Sequence, residues 1–197
     1  KVPAVRRKRW ENLIAVHLPK KPPGAAADEA DALNVLVLCT GNSCRSVMAE
    51  ALINDLGHGR YQAWSAGSAP AGYVHLKSIE TLKRHRIDPG QPRSKSWNEF
   101  AEQSFDLVIT VCDQAAGESC PLFPSNPRKL HWSTPDPAKV TGSDAEIDAA
   151  FDQAFFMLKN RIEKLMMAAP RNFRESCCAW QTIHSAENLG SFRIRVQ

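Results

Sequence analysis

Apolar positions between residues 34 and 168 alternate between two periods. Val35, Leu36, Val37 and Leu38 form an unbroken aliphatic run, as in strands buried on both faces of a parallel sheet. After a loop, Ala49, Leu52, Ile53 and Leu56 recur at helical spacing, and Gly57 is placed to end that helix as a C-cap. A short strand is expected at 61–65, then a helix with Leu76, Ile79 and Leu82 on its inner face, stopped by Asp88-Pro89-Gly90. A small helix follows at 97–105. A second aliphatic run, Leu107-Val108-Ile109-Thr110-Val111, and a strand at 130–132 come next. Ser143 with Glu146 three residues on has capping-box spacing and opens a long final helix. The buried stripe of that helix is Ile147, Phe151, Phe155, Leu158, Ile162 and Leu165.

Strands alternating with helices at these lengths predict an α/β fold: one doubly wound parallel four-stranded sheet with helices on both faces, flavodoxin-like in layout. Ligands in such folds sit at the carboxyl ends of the strands, and the first and third strands end at Cys39 and Cys112. Three regions follow. Residues 1–33 read as a flexible extension and linker, because Lys20-Lys21-Pro22-Pro23-Gly24 and the Ala-rich stretch after it have little to bury. Residues 34–169 are the folded domain, and 170–197 are an extension with no assigned role that carries the vicinal pair Cys177 and Cys178.

The formal charge of +4 changes this picture little. The two extensions hold the basic excess, and 34–169 is close to neutral, so the domain has no basic field for nucleic acid. Nor does any apolar stretch approach the roughly 18 to 20 residues of a membrane span. The basic cluster Arg6-Arg7-Lys8-Arg9 precedes an apolar run too short for a secretory core, so no targeting signal is expected. Six cysteines in 197 residues do not make a disulfide scaffold; they read as reactive thiols of a reducing, cytoplasmic compartment.

The candidate chemistry lies in Cys39-Thr40-Gly41-Asn42-Ser43-Cys44-Arg45-Ser46. A loop between a strand and a helix N-terminus aims backbone N–H groups at one point and so binds a tetrahedral oxyanion. Thr40, Gly41, Asn42, Ser43, Cys44 and Arg45 would form that cradle, with Cys39 as nucleophile at its mouth. The N–H groups and Arg45 both favour a thiolate, so a lowered thiol pKa is expected at Cys39.

Together with this loop, the pair Cys112 and Cys120 and the run Thr134-Pro135-Asp136-Pro137 resemble the arsenate reductases built on the low-molecular-weight protein-tyrosine-phosphatase fold. The resemblance covers about residues 34–168 and neither extension. It implies that Cys39 attacks loop-bound arsenate, that Arg45 stabilises charge on the equatorial oxygens, that Ser46 holds the thiolate, and that Asp136 is the acid. It further implies a relay: Cys112 attacks Cys39 and arsenite leaves, then Cys120 forms Cys112-Cys120, which thioredoxin, or alternatively glutaredoxin with glutathione, resets. A helix over 112–120 would hold those two thiols about 12 Å apart, beyond the roughly 4.4 to 6.8 Å that a disulfide spans. The segment 113–119 must therefore loop or unwind during the cycle, eased by Gly117.

The same resemblance implies no tightly bound cofactor and no metal among the catalytic groups, only an external thiol reductant. Asn42, Glu50 and Ser65 match positions that hold the loop and, in some members, a monovalent cation. Arg93-Ser94-Lys95-Ser96 replaces the acidic ligand of those members, which leaves Lys95 as an alternative source of positive charge. Two other functions share the loop: a low-molecular-weight tyrosine phosphatase, which leaves Cys112 and Cys120 unexplained, and a non-catalytic oxyanion-binding module.

Overall fold

The computed structural model describes residues 32–117 and 123–168 of the chain. The expectations for the two extensions, including Cys177 and Cys178, and for Cys120 fall outside the described residues, apart from positions 32 and 33. Four strands, β1 (Leu33–Cys39), β2 (Tyr61–Gly67), β3 (Leu107–Thr110) and β4 (Arg128–His131), form one sheet in the order β2-β1-β3-β4, with every pairing parallel. The helices are α1 (Arg45–Leu56), α2 (Leu76–Arg84), α3 (Asp113–Gly117) and α4 (Asp144–Ala168).

Alternation along the central strands sends side chains to two cores. Val35, Val37, Leu107 and Ile109 pack with Met48 and Leu52 of α1 and with Phe151, Phe155 and Leu158 of α4. On the other face Leu36, Leu38 and Val108 meet Phe100, Phe105 and Phe123, whose rings pack edge to face. Residues 36 to 38 are all 0% exposed, so β1 is the axis of the domain. Burying aliphatic side chains of this size stabilises by about 1.5 to 3 kcal/mol each.

Several elements differ from their expected form. The helix expected at 97–105 is a single 3-10 turn, Trp97–Phe100, opened by a complete capping box of Ser96 and Glu99. A continuous helix would set Phe100 and Phe105 about 140° apart around its axis, whereas both are needed on one face of the sheet. Strand β4 begins two residues early, at Arg128; its polar start suits the edge strand of the sheet. Leu82 is buried as expected, but Leu76, also expected inside, is 72% exposed, and Ser78 and Thr81 join Leu82 on the buried face of α2. Gly57 does end α1, but with φ −72° and no left-handed turn. Glycine is required there by close approach: a Cβ would lie 2.6 Å from the Ile53 carbonyl oxygen. The α4 capping box forms as expected, with the Ser143 N–H and hydroxyl both donating to Glu146 at 2.8 Å.

In a 2-1-3-4 sheet the connections leave β1 in opposite directions, and the crevice at its carboxyl end is where ligands bind. Gly67 ends β2 opposite Cys39, and a Cβ on it would sit 2.3 Å from the Thr40 carbonyl oxygen. Gly67→Ala is therefore expected to cost about 1 to 3 kcal/mol in urea denaturation and to weaken phosphate binding at the adjoining loop. Wild-type stability and phosphate affinity in this variant would show that the loop does not depend on that approach.

Candidate active site

The loop 39–46 is turned inside out relative to an ordinary connection. Its carbonyls point outward, where a collar formed by residues 69–75 and Ser94 holds them: Ala69 N–H donates to Thr40 O at 3.0 Å, Ala71 N–H to Gly41 O at 2.8 Å and His75 N–H to Ser43 O at 2.9 Å. The Ser94 hydroxyl also donates to Gly41 O at 3.1 Å. Asn42 takes a left-handed φ of 43°, which asparagine tolerates better than most residues. Helix α1 then starts at Arg45, and Cys44 at its N-cap makes no side-chain capping hydrogen bond. Carbonyls held outside and an uncapped helix start together leave N–H groups facing inward for an anion.

Cys39 is 3% exposed. Its sulfur lies 2.9 Å from the Ser46 hydroxyl and accepts the Asn42 N–H at 3.1 Å. The expected lowering of its pKa does not hold, because the protein's own groups leave the thiol above its ordinary value. Burial pushes the thiol up from its ordinary value, while the Ser46 and Asn42 hydrogen bonds and the Arg45 charge pull it down by less; Cys112 adds a further upward push. A linear sequence displays the donors around a cysteine but not how completely it is enclosed. Cys44, the other loop thiol, is also raised, again mainly by burial.

Arg45 reaches across the mouth of the loop. One guanidinium nitrogen donates to the Thr134 carbonyl at 2.8 Å and another to Asp136 Oδ2 at 2.8 Å, and Nε has no hydrogen-bond partner among the described residues. The other Asp136 oxygen caps the 3-10 turn Pro137–Lys139 by accepting the Ala138 N–H. Arg161 of α4 braces this segment through the Ser133 carbonyl and the Thr134 hydroxyl. The expected acid thus stands at the site, tied to the arginine that an entering oxyanion would claim.

Cys112 follows β3, beside the end of β1, and is 4% exposed. Its sulfur lies 3.5 Å from the hydroxyl of Thr40, the residue next to Cys39 in the chain, and accepts the Ala115 N–H at 3.4 Å. Cys39, Ser46, Arg45, Asp136 and Cys112 are therefore gathered at one end of the sheet. The collar, Arg161 and the Thr40 contact to Cys112 carry no spacing signal in the sequence, since they depend on how the third dimension closes.

Behind the loop, the Asn42 side chain donates to Ser46 at 3.0 Å and to Ser65 at 2.8 Å, and Ser65 donates to Glu50 at 2.5 Å. Lys95, only 7% exposed, places its ammonium 3.1 and 3.2 Å from the two Glu50 oxygens. These residues do not fit a monovalent cation: both Glu50 oxygens and the Asn42 Oδ1, which accepts the Lys95 N–H at 2.6 Å, already have protein donors, and one of those donors is itself charged.

Comparisons with known proteins agree with this geometry. The family model described as low molecular weight phosphotyrosine protein phosphatase matches residues 34–175. The arsenate reductase of Halalkalibacterium halodurans is 36% identical over 129 residues, 66% of this chain and 91% of that protein. Among solved structures, an arsenate reductase in its phosphate-binding state superposes with a TM-score of 0.57 at 28% identity, covering 68% of this chain and 97% of the other. A low molecular weight protein tyrosine phosphatase from T. tengcongensis superposes with a TM-score of 0.58 at 24% identity, covering 69% and 99%; that likeness concerns the fold alone.

Because burial outweighs the thiolate-favouring contacts, iodoacetamide alkylation of Cys39 in the unliganded protein should rise with pH through a midpoint above that of an ordinary thiol. Peptide mapping by mass spectrometry reads it. A midpoint below the ordinary value would contradict this balance.

Proposed function

The chain belongs to the low molecular weight phosphotyrosine protein phosphatase family, and within that family we propose that it reduces arsenate to arsenite, with residues 34–169 as the catalytic domain. The observation that carries the reading is Cys112, a buried second thiol in contact with Thr40 at the mouth of the oxyanion loop. Hydrolysis of a phosphate ester has no use for it. Reduction of As(V) needs two electrons, and two thiols supply them as one disulfide. The naming of the curated relative as an arsenate reductase supports the same reading.

In this mechanism the inward N–H groups and Arg45 hold arsenate, and Arg45 leaves Asp136 to bind the oxyanion. The Cys39 proton passes to an oxyanion oxygen, which offsets the cost of a buried thiolate. Asp136, released from Arg45, takes up a proton from solvent, and the sulfur attacks arsenic while a hydroxide, protonated by Asp136, leaves as water. Cys112 then attacks the Cys39 sulfur as its proton passes to solvent, the S–As bond breaks, and the electron pair of that bond stays on arsenic as arsenite. Cys120, outside the described residues, next attacks Cys112 and frees Cys39. A thioredoxin-type dithiol, or glutaredoxin with glutathione, reduces the Cys112-Cys120 disulfide. Electrons come from thiols throughout, so the cycle needs no bound cofactor. The short helix α3 ends at Gly117, so either a turn back after it or unwinding of α3 itself would bring Cys120 to Cys112.

Steady-state assays with NADPH, thioredoxin reductase and thioredoxin should show arsenate turnover, lost in Cys39→Ser and in Cys112→Ser. Asp136→Asn should lower kcat by about 10² to 10⁴. Hydrolysis of p-nitrophenyl phosphate separates the readings: any such activity should survive in Cys112→Ser. Robust ester hydrolysis with no arsenate turnover in the wild type would assign the site to a phosphatase.

A further inference from the structure

Lys95 takes no part in the steps above, yet its charge is buried and spent on a partner that faces the nucleophile's supports. An ammonium can only donate, and an ionised carboxylate can only accept. With Lys95 on both Glu50 oxygens, the Ser65 hydroxyl must spend its proton on Glu50, so its lone pairs accept from Asn42. The Asn42 amide cannot flip, because its Oδ1 takes the backbone N–H of the same Lys95. Its amino group is thereby aimed at Ser65 and Ser46, and Ser46, having accepted from Asn42, keeps its proton for the Cys39 sulfur 2.9 Å away. The direction of every hydrogen bond in this row follows from one lysine that binds it at two points.

We propose that Lys95 is a tethered cation that stands in for a diffusible one, and that through Glu50, Ser65, Asn42 and Ser46 it fixes the hydrogen bond donated to Cys39. It is a positioning residue, not a catalytic one, and the assignment rests on Cys39 being the nucleophile. Without the ammonium, Glu50 loses the donor that holds both of its oxygens in place. A carboxylate free to swing away no longer claims the Ser65 proton, the direction of the row is then no longer dictated, and Ser46 is no longer held as a donor to sulfur. Among the described residues, Arg45 and the thiol Cys112 also face Cys39, and neither belongs to this row.

The test is the pH profile of Cys39 alkylation by iodoacetamide, mapped by mass spectrometry, in wild type, Lys95→Met and Ser65→Ala, each in potassium chloride and in choline chloride. Thermal melts confirm folding. The wild type should give one profile in both salts. Each variant should alkylate Cys39 about tenfold more slowly near neutral pH, a rise of about one pH unit in the midpoint. Ser65→Ala cuts the row without touching Lys95, so it carries the test should Lys95→Met fail to fold. Potassium dependence in the wild type, or a wild-type profile in Ser65→Ala, would overturn the proposal. Alkylation uses no arsenate: a protein that passes this test and fails to turn over arsenate leaves the role of Lys95 standing and removes only the reductase reading.

Discussion

The site depends on the outward pull that the collar exerts on the carbonyls of the 39–46 loop. Ala69, Ala71 and His75 each commit a backbone N–H to one of those carbonyls, and the geometry of a peptide then obliges the loop's own N–H groups to face the other way. An anion site whose loop is made from backbone dipoles needs little reorganisation of that loop when a ligand arrives, which leaves Arg45 as the group that moves. Gly67 and the left-handed Asn42 are the local costs of that arrangement, one a forbidden Cβ and the other an uncommon φ.

Enclosure sets the second balance. The depth that lets backbone dipoles act strongly also disfavours the Cys39 thiolate, and burial wins in the unliganded protein. Arg45 meanwhile is neutralised by Asp136. In the proposed reaction an arriving oxyanion would reverse both conditions, supplying a base for the thiol proton and drawing Arg45 away from the carboxylate. In that reading Cys39 stays a thiol until substrate binds and is protected from unproductive oxidation, since the thiolate is the form that oxidants attack.

How much of this was legible in the sequence depends on whether a feature is local. The aliphatic runs at 35–38 and 107–111, the α4 stripe and the Ser143 capping box declare themselves, because burial on both faces and a helix cap leave unbroken or fixed-offset patterns. That the 39–46 loop, Arg45, Asp136 and Cys112 share one edge could also be read, as the strand ends bring them there. Leu76 could not be placed, since helical spacing identifies a face without saying that its first turn stands at an exposed rim. Polar Arg128 and Lys129 hid the start of an edge strand. The burial of Lys95 ran against the ordinary exposure of lysine, and only the folded position of Glu50 accounts for it.

The central claim is that two electrons leave Cys39 and Cys112 for one arsenic atom held in the loop. A single-turnover experiment on Cys120→Ser, with arsenate and no reductant, tests it most directly. One arsenite per protein should appear together with a Cys39-Cys112 disulfide in the peptide map. Arsenite formed with both thiols still free, or no arsenite while an oxyanion is bound, would contradict it.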